Sequence, residues 1–302
     1  MEINKYHSIV IPFYNEEANV TSVINRVTSI MDNLSLNFEI IAVEDGSSDQ
    51  TYNVLKLVRE NNQHLKIIKF RRNFGQTQAM QAGIDNACGD VIITMDGDMQ
   101  NDPSDIPDLL NKMEKGDYGV VSGWRKKRKD SALRCIPSHF ANFLLRYVTG
   151  VNIHDNGCSL KAYDAKILKK VHLYSDMHRF ITAFACLNGA KVGEMEVNHY
   201  PRTKGVSKYG FSRIWKVLVD LFTLRLVLHF SERPMSWFGF MSAISVFVAS
   251  FITLFWLTQG SYGIVWPGVI LLFMFNGFVL LGYGLVCELT VQAKKMSDKL
   301  KS

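Results

Sequence analysis

Two aspartates one residue apart, Asp96-Gly97-Asp98, close an apolar run and are followed by Gln100. Carboxylates at that spacing, where a strand gives way to a loop, can hold a hard divalent cation against a diphosphate. Mg²⁺ and Mn²⁺ favour such oxygen ligands and share them with substrate phosphates. A metal there would neutralise charge building on a departing nucleoside diphosphate. By itself the pair equally describes a plain turn. It is not an EF-hand, because Asn101 stands where that loop needs glycine and Pro107 where it needs glutamate. A second acidic group, Glu44-Asp45-Gly46-Ser47-Ser48-Asp49, can accept hydrogen bonds from a base or a ribose, and Gly46 permits a tight turn. Ser47, Ser48 and Asp49 are also good helix N-caps, and the two roles are compatible. The chain has neither a G-x-G-x-x-G nor a Walker A loop, which argues against dinucleotide and P-loop chemistry.

These residues need elements that bring them together. Short apolar runs at His7–Ile11, Phe38–Val43, Leu65–Phe70, Val91–Met95 and Tyr118–Ser122 read as strands. Helical patterns fall between them at Glu16–Met31, Asp49–Glu60, Thr77–Ala87 and Ser104–Lys115. Such alternation predicts an α/β fold, a mostly parallel sheet covered by helices. Ligands then bind beyond the carboxyl ends of the strands, where Pro12–Glu17, Glu44–Asp49 and Asp96–Asp102 all fall. Trp124–Ser131 is a charge run, read either as a solvated loop or as a phosphate contact. The N-terminus reads as a first strand rather than a signal peptide.

The last part of the chain has another composition. Met235 to Cys287 contains no Asp, Glu, Lys, Arg or His. At about 20 residues per crossing, this suffices for two membrane helices. The predicted organisation is a catalytic domain at 1–209, an amphipathic juxtamembrane region at 210–233, two crossings within 234–289 and a basic tail at 290–302. The crossings run about 235–258 and 264–287. Phe211, Ile214, Trp215, Leu218, Leu221 and Phe222 share one helical face, which suits a helix lying in the interface or one facing a core. Arg225 and Arg233 before the crossings, and Lys294, Lys295, Lys299 and Lys301 after them, place the catalytic domain and both termini in the cytoplasm. The net charge of +6 lies largely near this tail and suits anionic lipid rather than nucleic acid. Five scattered cysteines without a C-x-x-C pair suit a reducing compartment.

With Pro12-Phe13-Tyr14-Asn15-Glu16-Glu17 added, the ordered set resembles family 2 glycosyltransferases of the GT-A fold. It is similar in particular to the polyisoprenyl-phosphate branch, which includes dolichyl-phosphate mannose synthase and bactoprenol glucosyltransferases. That narrower likeness rests on R-N-F-G-Q at Arg72–Gln76, on Arg134 with Ser138 and Asn142, on D-N-G-C-S-L-K-A-Y at Asp155–Tyr163, and on R-T-K-G-V-S-K-Y at Arg202–Tyr209. The resemblance implies that Pro12, Tyr14, Glu16, Asp45 and Asp96 line a nucleotide-sugar pocket. It implies that Asp96, Asp98 and Gln100 hold Mg²⁺ or Mn²⁺. Arg125, Arg134, Arg202 and Lys208 then grip phosphate, and Ser138 and Asn142 add hydrogen bonds to the acceptor. Asp98 and Asp155 carry the catalytic roles, Asp155 as base or as acceptor-orienting group.

The implied reaction is inverting transfer of a sugar, with UDP-glucose as the favoured donor, to a polyisoprenyl phosphate such as undecaprenyl phosphate. GDP-mannose, UDP-N-acetylglucosamine and an aminoarabinose donor stay open. So does a tethered nucleotide-binding scaffold without catalysis. A processive polysaccharide synthase is disfavoured because the chain has no Q-x-x-R-W. A homo-oligomer is expected from the lipid-facing hairpin. Glu44 and Gly97 depart mildly from the Asp and Ala common in the family, and neither removes a carboxylate.

Overall fold

The computed structural model describes residues 5–126, 146, 153–171, 180–187, 189–201, 233–259 and 265–301. Contacts divide the chain into two compact units, Met1–Leu221 and Phe222–Ser302.

The first unit is built on a seven-stranded sheet. Its strands are β1 (Tyr6–Phe13), β2 (Asn37–Glu44), β3 (Leu65–Lys69), β4 (Val91–Thr94), β5 (Val120–Trp124), β6 (Lys161–Asp164) and β7 (Val192–Glu196), in the order β3-β2-β1-β4-β6-β5-β7. Only β6 runs antiparallel to its neighbours β4 and β5, so the sheet is mostly parallel, as the alternation predicts. The helices are α1 (Val20–Asn33), α2 (Thr51–Glu60), α3 (Gln76–Asp85), α4 (Ile106–Lys115), α5 (Ala165–Leu168) and α6 (Ile181–Leu187). Ile9, Val10, Ile11, Ile40 and Ala42 are fully buried, because β1 and β2 are covered on both faces. On one face Ile9, Ile11 and Phe13 pack with Val20, Val23 and Ile24 of α1 and Leu109 of α4. On the other, Val10, Val43 and Ile92 pack with Ala79, Met80 and Ile84 of α3. The chain crosses from one side of β1 to the other between β3 and β4, so a topological switch point opens at the carboxyl end of β1.

The sequence pattern starts the first helix at Glu16, yet α1 begins at Val20. Asn15 takes a left-handed φ of 52°, and the next amides are drawn to the neighbouring turn instead of into a helix. The Glu16 N–H donates to Thr51 Oγ1 and the Glu17 N–H to Asp49 Oδ2. The elements β6, β7, α5 and α6 are absent from the predicted set.

In the second unit, α7 (Pro234–Gln259) and α8 (Val265–Lys301) pair along their length. Pro234–Thr258 and Val265–Ala293 are long and apolar enough to cross a membrane. Ser242 Oγ donates to the Gly277 carbonyl at 2.7 Å and Ser245 Oγ to that of Phe273 at 2.8 Å, polar links suited to an apolar solvent. Outward residues such as Phe247, Leu271 and Phe278 are about three-quarters exposed, a surface suited to lipid. The α8 helix continues past Cys287, the predicted end of the crossing, through the basic segment. The predicted interfacial segment from Phe211 to Phe230 lies outside the described residues.

Candidate functional site

The loops after β1 and β2 are sewn to each other. Asn15 N–H donates to Ser47 Oγ, and Asn15 Oδ1 accepts from the Ser48 N–H. The Glu17 carboxylate accepts from the Gln50 N–H at 2.8 Å. Ser47–Asp49 therefore serve mainly as a brace between loops. Pro12 lies beside Val43, one residue before the end of β1, and Tyr14 follows the strand, both partly buried. Glu16 accepts from Asn19 Nδ2 at 2.6 Å, at the entry to α1.

Asp45 is 2% exposed and accepts from Asn73 Nδ2, the Phe74 N–H and the Gly75 N–H at 2.7–3.1 Å. Burial pushes its carboxyl up from the ordinary value, and the two amides oppose that rise in part. Asp45 thus anchors the R-N-F-G-Q loop between β3 and α3. Gly46, at φ 65°, admits the loop: a Cβ there would lie 2.2 Å from the Arg72 carbonyl carbon. The next residue, Gln76, reaches across the switch point, its Nε2 donating to Asp96 Oδ1 at 2.7 Å.

Asp96 and Asp98 follow β4. Asp98 Oδ1 accepts from the Gln100 N–H, and Met99 adopts a φ of 61° in the turn between them. Gly97 packs against Phe13, whose ring would come within 2.5 Å of an added Cβ, so the small residue is imposed by the bulky one. The segment Asp155–Tyr163 runs back along β4 into β6 and ties the acidic loop down. Ser159 Oγ accepts from the Asp96 N–H at 3.1 Å and from Asn101 Nδ2 at 2.7 Å.

At the other end of that segment Asp155 meets Arg125, which follows β5. Arg125 Nε donates to Asp155 Oδ2 at 2.7 Å and Nη2 to Oδ1 at 2.9 Å, and the Arg125 N–H adds a third bond at 3.2 Å. Both side chains are nearly buried, at 12% and 5% exposed. Burial disfavours the guanidinium charge, but the hydrogen-bonded Asp155 and, less strongly, Asp96 hold Arg125 protonated. Gly157 leaves room for the pair, its Cβ position being 3.1 Å from Arg125 Nη2. The same burial pushes the Cys158 thiol up to about 11, which makes it a packing residue rather than a nucleophile.

Of the predicted site residues, the structure places Pro12 near the end of β1 and Tyr14, Glu16, Asp45, Asp96, Asp98, Gln100, Arg125 and Asp155 on loops, all at the carboxyl end of the parallel strands. Arg134, Ser138, Asn142, Arg202 and Lys208 lie outside the described residues. Arg125 and Asp155, predicted as separate phosphate and base groups, form one ion pair. Sequence reasoning gave no role to Ser159 or Gln76, although both lie in quoted motifs. Among the described residues no three His, Cys, Asp or Glu side chains cluster as a metal cage. A carboxylate pair without such a cage suits Mg²⁺ or Mn²⁺, which complete their shells with water and phosphate oxygens.

Known proteins point the same way. The model of glycosyl transferase family 2 matches residues 8–172. Dodecaprenyl-phosphate galacturonate synthase of Rhizobium johnstonii is 47% identical over 236 residues, 77% of this chain and 70% of the relative. Undecaprenyl-phosphate 4-deoxy-4-formamido-L-arabinose transferase of Shewanella sediminis is 35% identical over 289 residues, 93% of this chain and 86% of the relative. Among solved structures, glucosyl-3-phosphoglycerate synthase of Mycobacterium tuberculosis with UDP superposes at a TM-score of 0.58 and 16% identity, over 74% of this chain and 80% of that one. Its complex with Mn²⁺, UDP-glucose and glycerol 3-phosphate gives 0.56. That likeness carries the fold, a GT-A sheet, and the sequence matches carry the family. The chain belongs to glycosyl transferase family 2, and it is a glycosyltransferase.

Proposed function

We propose that the protein transfers a sugar, with inversion, from a nucleoside diphosphate sugar to a polyprenyl phosphate at a membrane surface. The observation that carries this is the convergence of the Asp96–Asp98 pair with the Arg125–Asp155 pair at the switch point, in a chain with two helices able to cross a bilayer. Relatives named for dodecaprenyl and undecaprenyl phosphate support the acceptor class.

UDP-glucose, favoured by the sequence, finds no support among these relatives. One is named for galacturonate and another for 4-deoxy-4-formamido-L-arabinose. An L-arabinopyranose ring has the same arrangement of substituents as a galactose ring lacking its sixth carbon, including an axial group at C4. The donor sugar proposed here is therefore galacto-configured, with galacturonate first in line because of the 47% identity.

Asp96 and Asp98, with Gln100, would hold a divalent metal, which when bound supplies charge neutralisation at the diphosphate. Asp45 and the loop it anchors shape the nucleotide side of the cleft. Asp155 spends both carboxylate oxygens on Arg125, so it is arranged to orient rather than to take a proton. No strong base is needed, because a phosphate monoester loses its second proton near a pKa of about 6. The acceptor oxygen attacks the anomeric carbon, the bond to the diphosphate breaks on the opposite face, and an α-linked donor yields a β-linked lipid phosphosugar. The protein contributes position and electrostatics.

The test is a transfer assay in detergent with undecaprenyl phosphate, Mg²⁺ or Mn²⁺, and UDP-galacturonate, UDP-4-deoxy-4-formamido-L-arabinose, UDP-glucose and GDP-mannose in parallel. Mass spectrometry should find a lipid phosphosugar from a galacto-configured donor. Product from glucose or mannose alone would refute the assigned sugar. No product from any donor, with nucleotide still bound, would refute the reaction.

A further inference from the structure

Two charges beside the site, Lys161 buried and Glu194 partly buried, have no part in this mechanism. Glu194, on β7, has a side chain only 13% exposed. Its Oε1 accepts from the N–H groups of both His154 and Asp155, at 2.9 and 3.0 Å. Its Oε2 lies 2.7 Å from His154 Nδ1, and the His154 ring stacks on Trp124 with centroids 4.6 Å apart. Lys161, the lysine of D-N-G-C-S-L-K-A-Y, is 2% exposed. Its Nζ donates to the Asn156 carbonyl at 3.1 Å and to Thr182 Oγ1 at 3.0 Å.

Taking such charges out of water is costly unless they find partners. Here most of those partners belong to one tripeptide, His154-Asp155-Asn156. The carboxylate grips it by two N–H groups and the ammonium by the next carbonyl. We infer that Glu194 and Lys161 are positioning residues that clamp this tripeptide from opposite ends and thereby set the Asp155–Arg125 pair. The inference rests on the proposed role of that pair in transfer. Register strengthens it: Glu194 pairs with Ser122 on β5, the strand that delivers Arg125, so one strand neighbour indexes both partners.

Glu194→Ala removes every contact. Glu194→Gln keeps an amide oxygen for the two N–H groups but turns an NH₂ toward the imidazole, so it should rescue the clamp without the carboxylate's charge. Two measurements on the whole protein in detergent decide. In hydrogen exchange, the peptide spanning 153–160 should exchange about tenfold faster in Glu194→Ala and moderately faster in Lys161→Met, with β1–β4 unchanged. Unchanged protection there overturns the clamp. In the transfer assay, Glu194→Ala should lower kcat by about ten- to a hundredfold, with donor KM within about twofold. Glu194→Gln should stay within about threefold of the parent. Equal impairment of both variants, or a donor KM that worsens in step with kcat, overturns the positioning role. If the unaltered protein makes no product while Asp98→Asn is its inactive control, the transfer reaction itself fails, and hydrogen exchange alone then judges the clamp.

Discussion

Around Asp45, three loops are joined mostly by neutral amides and hydroxyls: Asn15 with Ser47 and Ser48, Glu16 with Thr51, Asp45 with Phe74 and Gly75. Around Asp155, charged side chains gather, with Arg125 on its carboxylate, Glu194 on its N–H and Lys161 on the carbonyl of the next residue, Asn156. The first region is a set of bonds between neighbouring strand ends, worth about 1 kcal/mol each where neutral groups meet and about 1.5–3 kcal/mol at the buried Asp45 carboxylate. The second is a largely buried network in which deleting Arg125 or Asp155 strands a charge, and deleting Glu194 or Lys161 strands the peptide groups they hold. The proposed nucleotide cradle, built in the first way, should tolerate change at its neutral bonds. The proposed reacting centre, built in the second way, should be rigid and fail sharply.

The largest expected effect breaks the chemistry while sparing both regions. Asp98→Asn should lower kcat by about 10³-fold or more with stability nearly unchanged, as expected if its charge acts on the diphosphate through a metal. Single-turnover kinetics beside a thermal unfolding curve would check both halves. Next comes Asp155→Asn, which leaves the Arg125 guanidinium buried beside a neutral group. It should cost about 3–5 kcal/mol in denaturant unfolding. The sharper form is the double variant Arg125→Met with Asp155→Leu. It should recover most of that stability and none of the turnover, which separates what the pair costs the fold from what it gives the reaction. Recovery of turnover would show that the pair is structural.

Much of the proposed nucleotide side was legible because its residues are local. P-x-Y-N-E, E-D-G-S-S-D and D-G-D each follow an apolar run, and a parallel sheet brings such strand ends together whatever the rest of the chain does. Asp155 and Arg125 were each legible as residue types, but their union was not. They stand 30 positions apart and meet only because β6 inserts antiparallel between β4 and β5. β6 is four residues long, too short for its alternation to show. Glu194 was hidden for a related reason. In Val192-Gly193-Glu194-Met195-Glu196 it reads as the outward position of an edge strand, yet it turns in toward a loop 39 residues away. The start of α1 was misplaced because side chains of another loop captured the amides of Glu16 and Glu17, which helical periodicity cannot foresee.

A smaller change probes the boundary between the regions. Gly97→Ala puts a methyl within 2.5 Å of the Phe13 ring, which is fully buried and cannot swing aside. Overpacking of this kind should cost about 1–3 kcal/mol. Adding Phe13→Leu should return part of it, despite the volume that change removes. If Gly97→Ala is neutral, the close contact is relieved by a backbone shift, and metal affinity should then change in its place.

The smallest effect concerns the charged region alone, and its sign is set by burial. Desolvation lowers Lys161 to about 8 from an ordinary 10.5, with Cys158, Asp155 and Glu194 favouring its charge and Arg125 opposing it. Below about pH 8 the folded and unfolded chains both hold this proton, and the folded state bears the full penalty of the buried ammonium. Between about 8 and 10.5 the unfolded chain binds more protons than the folded one, so this group's contribution to stability rises with pH. From pH 7 to 9 the rise should be about 1 kcal/mol. Lys161→Met keeps the volume without the proton, so the parent-minus-variant difference in urea unfolding should climb by that amount over the window. A flat difference would mean that water reaches Lys161, and the contrast between a neutral cradle and a dry charged centre would lose its clearest member.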